Sequence, residues 1–258
     1  MNILFIGDVF AEAGRKYVTE NLKSIKKREN IDFCIANCEN ASHGRGLSKR
    51  NYRELADAGI DVITMGNHVW SNSEFTEVLR DRSTKAIRPA NIGRNVPGRG
   101  YSVNYVNGRR VAVINLEGRS FIDLVGDNPF ECMDALLAKI DAEVVIVDFH
   151  AEASSEKKTL ALYLDGRVNA VVGTHTHVPT ADTMILPRGT AYVTDVGMTG
   201  IMRESVIGMA FEGPYRKTAQ GLPARFEPCE EGTSELGAVI ISVDDNTGKT
   251  LEIKRIFG

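Results

Sequence analysis

Five short apolar runs constrain how this chain folds, because each one breaks off abruptly into polar residues. Ile3–Ile6 runs into Gly7-Asp8, Phe33–Ala36 into Asn37-Cys38-Glu39-Asn40, and Asp61–Met65 into Gly66-Asn67-His68. Val144–Phe149 stops at His150, and Val168–Val172 is followed by Gly173-Thr174-His175-Thr176-His177. Runs of this length and Val/Ile content read as β-strands, and uninterrupted apolar ones as strands covered on both faces. In an α/β sheet, ligands bind beyond the carboxyl ends of parallel strands, so the five endpoints are expected to meet on one rim. Four of the five histidines lie at these endpoints, a placement that scattered structural histidines would not produce.

Helical patterns separate the strands. Val18, Leu22 and Ile25 recur at helical spacing, and Ser48 reads as the N-cap of a helix carrying Tyr52, Leu55 and Ala56, with Gly59 at its C-terminal end. Asn128-Pro129 opens a helix bearing Met133, Leu136, Leu137 and Ile140, and Ser154 or Ser155 caps another. Two stretches are antiparallel instead. Tyr101–Val106 and Arg110–Leu116 flank Asn107-Gly108, a strong hairpin signal, and Ala238–Val243 joins Thr250–Ile256 through a turn at residues 244–248. No linker or repeat divides the 258 residues, so one domain spanning 1–258 is expected. Strand–helix units combined with hairpins predict an α/β four-layer α/β/β/α sandwich of two mixed sheets, a single mixed sheet being the other arrangement.

Composition excludes several functions. Lys+Arg of 31 against Asp+Glu of 34 leaves a net charge of −3, which offers no footprint for duplex nucleic acid. Cys34, Cys38, Cys132 and Cys229 are too few and too scattered for a disulfide framework, and Phe33-Cys34-Ile35 reads as buried strand. The N-terminal stretch lacks the pattern of a signal peptide, and no apolar run is long enough for a membrane span. The expectation is a reduced, soluble, cytoplasmic protein.

The endpoint residues define the chemistry. Asp8, Glu39, Asn40, Asn67, His150, His175 and His177 form a mixed oxygen/nitrogen donor set with no obvious thiolate, suited to Fe, Mn, Zn or Mg. On an extended segment, His175 and His177 project to the same side and can serve one metal pair. Seven donors are too many for one ion that must admit water, but they suit two ions sharing a carboxylate. Two such ions make a bridging water acidic and clamp the oxygens of an in-line phosphoryl displacement, which points to phosphate ester hydrolysis.

Gly7-Asp8, Gly66-Asn67-His68, His150 and Gly173-Thr174-His175-Thr176-His177 resemble, in order and spacing, the motif series of the calcineurin-like metallophosphoesterases. That superfamily usually has a histidine two residues after the first aspartate, where this chain has Phe10, and an aspartate in its second motif, where this chain has Glu39-Asn40. Both departures resemble one branch, the YmdB-like bacterial phosphodiesterases, as do Ala36–Asn40, Asn67–Trp70, Arg88–Asn91 and Thr194–Gly200. The resemblance spans nearly the whole chain. It implies one ion held by Asp8, Glu39, Asn40 and His177, and a second held by Glu39, Asn67, His150 and His175. It also implies a metal-bridging hydroxide as nucleophile and His68 as the general acid. The metals implied are two divalent or mixed-valence ions, iron or manganese. The implied substrates are 2′,3′-cyclic nucleotides, opened to 3′-nucleotides.

Other readings stand beside this one. A metal-dependent amidohydrolase also uses His-x-His, but near the start of an eightfold strand–helix barrel. A regulatory module that keeps the metals and binds a nucleotide or protein with little turnover is the alternative from a different class. Homo-oligomerisation is common for such enzymes. Secondary features are Arg45 as a phosphate contact, Gly197–Gly200 as a loop over the metals or a simple turn, Trp70 as a base platform or core residue, and Cys38 as an oxidation-sensitive thiol.

Overall fold

The computed structural model describes residues 1–93, 95–124 and 126–256. Along the chain, β1 (Asn2–Ile6) and β2 (Asp8–Val9) precede α1 (Ala11–Arg28). Then come β3 (Phe33–Asn37), α2 (Lys49–Asp57), β4 (Val62–Thr64) and α3 (Phe75–Arg80). The hairpin β5 (Tyr101–Val106) and β6 (Arg109–Glu117) leads to α4 (Pro129–Leu137), β7 (Val144–His150), α5 (Ser154–Tyr163) and β8 (Ala170–Thr174). The remainder is β9 (Met184–Ile185), β10 (Ala191–Val193), β11 (Met198–Ile201), α6 (Glu212–Gln220), β12 (Ser234–Glu235), β13 (Ala238–Val243) and β14 (Thr250–Ile256).

Two large mixed sheets form among the described residues, in the orders β14-β13-β1-β3-β4 and β5-β6-β7-β8-β10-β9. Within them β1, β3 and β4 are mutually parallel, as are β6, β7, β8 and β10, while the hairpins add antiparallel edges. Period-2 alternation divides each strand between two cores. Ile3, Phe5, Phe33 and Ile35 face Val111, Val113, Val144 and Ile146 between the sheets. Leu4, Ile6, Cys34 and Ala36 turn outward onto Val18, Leu22 and Ile25 of α1 and Leu55 of α2. On the far side, Ile114, Val145 and Val147 pack on Met133, Leu136, Leu160 and Ala161 from α4 and α5. Three cores between four layers make the expected α/β/β/α sandwich. None of the helices among the described residues is long and apolar enough to cross a membrane.

Local signals hold in most places. Ser48 Oγ accepts from the Asn51 N–H, Asn128 caps α4 by accepting from Phe130, and Asn107-Gly108 takes φ of 49° and 78° in the hairpin. Three expectations need correction. The cap of α5 is Ala153, and both serines lie inside the helix, because this phase turns Lys157, Leu160 and Ala161 inward. α4 ends at Leu137, and Ile140 reaches the same core through one further turn closed by its N–H on Leu136 O. Gly197–Gly200 forms no loop over the rim, since Met198–Ile201 is strand β11, paired in parallel with β2 and antiparallel with β12 in a small third sheet.

Backbones approach closely at two places on this rim. A Cβ on Gly7 would lie 1.9 Å from Gly197 O, and one on Gly173 would lie 1.8 Å from Thr194 O. Side chains are therefore excluded at both positions, one residue before Asp8 and two before His175. Replacing Gly7 with Ala is expected to cost about 1–3 kcal/mol of stability through overpacking, as read by urea denaturation.

Candidate metal centre

Each candidate residue follows a strand that ends at the same edge of the sandwich. Asp8 lies two residues beyond β1, Glu39 and Asn40 follow β3, Asn67 and His68 follow β4, His150 closes β7, and His175 and His177 follow β8. The structure joins them into a chain of contacts. Asp8 Oδ1 lies 3.6 Å from His177 Nε2 and 3.4 Å from Asn40 Nδ2. Asn40 Nδ2 also reaches His177 Nε2 at 3.1 Å and Glu39 Oε1 at 3.4 Å. Glu39 Oε1 is 3.0 Å from His150 Nε2, which meets Asn67 Oδ1 at 3.1 Å and His175 Nδ1 at 3.0 Å.

His150, His175 and His177 each turn one ring nitrogen inward and have the other held from behind. His150 Nδ1 contacts Thr174 Oγ1 at 2.9 Å, and that hydroxyl donates to buried Asp148. His175 Nε2 faces Glu152 at 3.2 Å, and His177 Nδ1 donates to Ile207 O at 3.0 Å. Outer partners of this kind fix the ring and tautomer of metal-ligating histidines. The carboxylates are divided in the same way. Glu39 Oε2 accepts from the His68 N–H and Asp8 Oδ2 from the His175 N–H, leaving Oε1 and Oδ1 facing the centre.

Burial and neighbouring charges set the electrostatics of the centre. Burial opposes ionisation of Asp8, yet the hydrogen bond and charge of His177, with His150, hold its carboxyl well below the usual range. Burial likewise opposes Glu39, and the charge of His150 outweighs it. Burial should push His150 down, but Glu39 drives it up to about 10, whereas burial and the His150 charge bring His175 down to about 3. The buried carboxylates thus favour positive charge at the position of His150. One N–H cannot serve Glu39 Oε1, Asn67 Oδ1 and His175 Nδ1 together, whereas a cation accepts several donors at once. Glu39, His150 and His175 alone present ligand atoms within 4.8 Å of one another, so the residues fit a metal ion, and Asp8, Asn40 and His177 extend the set. The amide nitrogen of Asn40 faces the centre, and rotating the amide presents its oxygen instead.

The His-x-His segment departs from the expected extended form. β8 ends at Thr174, and His175 and His177 adopt φ of 103° and 66°, which sends their rings to opposite ends of the centre. Such conformations cost a non-glycine residue about 1–3 kcal/mol each, so the surroundings must impose them. They do so through Asp195, whose Oδ2 accepts from the Thr176 N–H and hydroxyl at 3.0 and 2.8 Å and from Lys157 at 2.7 Å. Lys157 and Asp195 are 1% and 0% exposed. Neither stood out in the sequence, although Asp195 lies in the Thr194–Gly200 stretch. Glu117, paired in register with His150, was also missed. It is fully buried, neither carboxyl oxygen has a hydrogen-bond partner among the described residues, and burial holds its pKa well above the ordinary value.

A cavity of about 370 Å³ opens over the centre. Its lining combines polar Glu39, Asn40, His68, His175 and His177 with apolar Phe10, Val206, Ile207, Met209 and Phe226, and the Phe10 ring meets His177 edge-on. Arg45 lies outside this lining and bonds Ser71 instead, and Trp70 packs on the α1-side core. Cys38 does not form the expected reactive thiol, because it is sealed in that core and burial raises its pKa well above normal.

Residues 4–256 match the family described as YmdB-like protein. A Bacillus subtilis (strain 168) protein named 2′,3′-cyclic-nucleotide 2′-phosphodiesterase is 46% identical over 259 residues, covering all of this chain and 97% of that protein. A crystal structure described as a novel phosphatase from Mycoplasma pneumoniae superposes with a TM-score of 0.94 at 38% identity, over all of this chain and 93% of that one. A structure described as a hypothetical protein from Thermus thermophilus gives a TM-score of 0.93 at 41% identity, over all of this chain and 99% of that one.

The Lys157–Asp195 pair generates a prediction about the strained loop. Asp195→Asn strands a buried charge and should cost about 3–5 kcal/mol in urea denaturation. Adding Lys157→Met should recover most of that loss.

Proposed function

We propose, for a chain that belongs to the YmdB-like protein family, a dinuclear metal-dependent phosphodiesterase that opens 2′,3′-cyclic nucleotides to 3′-nucleotides. The coarser statement, a phosphoesterase, rests on the family and on the Bacillus subtilis relative. The finer one is supported above all by a single observation. His150 Nε2 lies within 3.1 Å of three groups, Glu39 Oε1, Asn67 Oδ1 and His175 Nδ1, that one proton cannot serve together.

In this reading Asp8, Glu39, Asn40 and His177 would hold one ion, and Glu39, Asn67, His150 and His175 the second. Two iron or manganese ions, when bound, supply positive charge for the phosphoryl oxygens and make a water acidic enough to attack near neutral pH. The chain's own residues do the rest. Asp8 and Glu39 keep one oxygen each on a backbone N–H and so present the other in a fixed direction. Thr174, Glu152 and the Ile207 carbonyl hold the three imidazole rings in place. His68 lines the cavity one residue after Asn67. It delivers a proton to the 2′ oxygen as the bond from phosphorus to that oxygen breaks and the water oxygen bonds to phosphorus. Burial lowers the proton affinity of His68, so the protonated form this role requires is favoured on the acid side of neutrality. All four cysteines are free, in keeping with the reducing cytoplasm proposed as its compartment.

Hydrolysis of 2′,3′-cyclic AMP to 3′-AMP by the purified protein is the direct test, and it should cease on chelation and return with metal. His68→Ala should lower kcat about 10²–10⁴-fold while metal analysis still finds close to two ions per chain. Metal lost with His68 would make it a ligand instead. Asp8→Ala should reduce the stoichiometry from about two ions to about one, and unchanged metal content would refute its assignment.

A further inference from the structure

We propose that the turn at residues 206–209, together with Phe226, forms the subsite for the substrate's base, with Ile207 as its specificity-determining side chain. This deepens the phosphodiesterase reading above and rests on it. The cavity has two kinds of lining. Beside the polar residues of the metal centre it presents Phe10, Val206, Ile207, Met209, Pro214 and Phe226. A cyclic phosphate and its ribose are polar, so the part of a nucleoside 2′,3′-cyclic phosphate that matches an apolar wall is the flat face of its base.

The backbone shows that Ile207 is not there for the fold. Val206 and Met209 exchange backbone hydrogen bonds at 2.8 and 3.0 Å, closing a two-residue turn with φ of 48° at Ile207 and 99° at Gly208. Asn-Gly is the sequence this turn prefers, and a β-branched residue at its first position is strained. Gly208 is required, because a Cβ there would lie 2.6 Å from the Phe10 ring. At Ile207 only the carbonyl is used structurally, accepting from His177 Nδ1 at 3.0 Å, and any residue supplies a carbonyl. The side chain itself is 51% exposed and lines the cavity, so it contributes little to the core. A strained, half-exposed isoleucine beside a metal-binding histidine is explained by contact with the ligand.

Phe226, 39% exposed, lines the same space and has Lys217 Nζ over its ring at 5.4 Å. These apolar side chains carry no hydrogen-bonding groups. The subsite therefore registers that a base is present more than which base it is, since stacking tolerates every base.

The test compares kcat/KM for 2′,3′-cyclic AMP with that for ribose 2′,3′-cyclic phosphate, which lacks the base, using metal-loaded protein. Wild type should favour the nucleotide. Ile207→Asn relieves the turn, so its melting temperature should hold or rise and its metal content should stay unchanged. The nucleotide-to-abasic ratio should fall roughly tenfold, carried mainly by KM. Phe226→Ala should move the ratio in the same direction. A ratio unchanged in both variants, or a wild type that takes both substrates equally, overturns the subsite. A wild type that hydrolyses neither substrate overturns the phosphodiesterase reading itself, and the subsite with it.

Discussion

Two carboxylates with almost no solvent access, Asp8 and Glu39, sit among imidazoles at the edge of the sandwich, and their need for positive charge organises what surrounds them. Ionised carboxylates away from water are tolerated only when paired or bound to metal. Each has one oxygen on a backbone N–H and the other turned toward the same small volume. Asn40, Asn67 and the inner nitrogens of three histidines close around that volume. Such a concentration of lone pairs is unfavourable in a folded chain unless something electropositive joins it.

The sandwich supplies the rigidity this arrangement requires. Parallel strands from both large sheets end on one rim, so residues more than a hundred positions apart, such as Asn37 and Asp148, hydrogen-bond directly. The strain is concentrated in the segment carrying His175 and His177, and the buried Lys157–Asp195 pair holds it. Side-chain-free positions at Gly7 and Gly173 let the chain approach Gly197 and Thr194, which flank the stretch carrying Asp195. Fold stability and site geometry are therefore bound together at this edge, where overpacking and an unpaired charge would both be felt.

Much of this was legible in the sequence, because strand periodicity and strand endings are local signals. Asp8, Glu39, Asn40, Asn67, His68, His150, His175 and His177 were all nameable from where apolar runs stop, and the layer order followed from strand–helix units combined with hairpins. What escaped notice depends on contacts distant in sequence. The positive φ of His175 and His177 is imposed by Asp195 and Lys157, which look like an ordinary loop acid and an ordinary helix lysine. The third sheet is built from very short strands that leave no periodic trace. The cap of α5 moved from a serine to Ala153 because burial of Lys157 set the helix phase. Likewise Ile207 reads as one more apolar residue until its turn geometry is seen.

Occupation by two cations of the volume enclosed by these side chains can be read from anomalous X-ray diffraction by crystals of protein purified without added metal. Two peaks per chain are predicted, one bounded by Asp8 and His177, the other by His150 and His175, with Glu39 between them. A map without metal peaks, with His150 simply hydrogen-bonded to Glu39, would contradict the account.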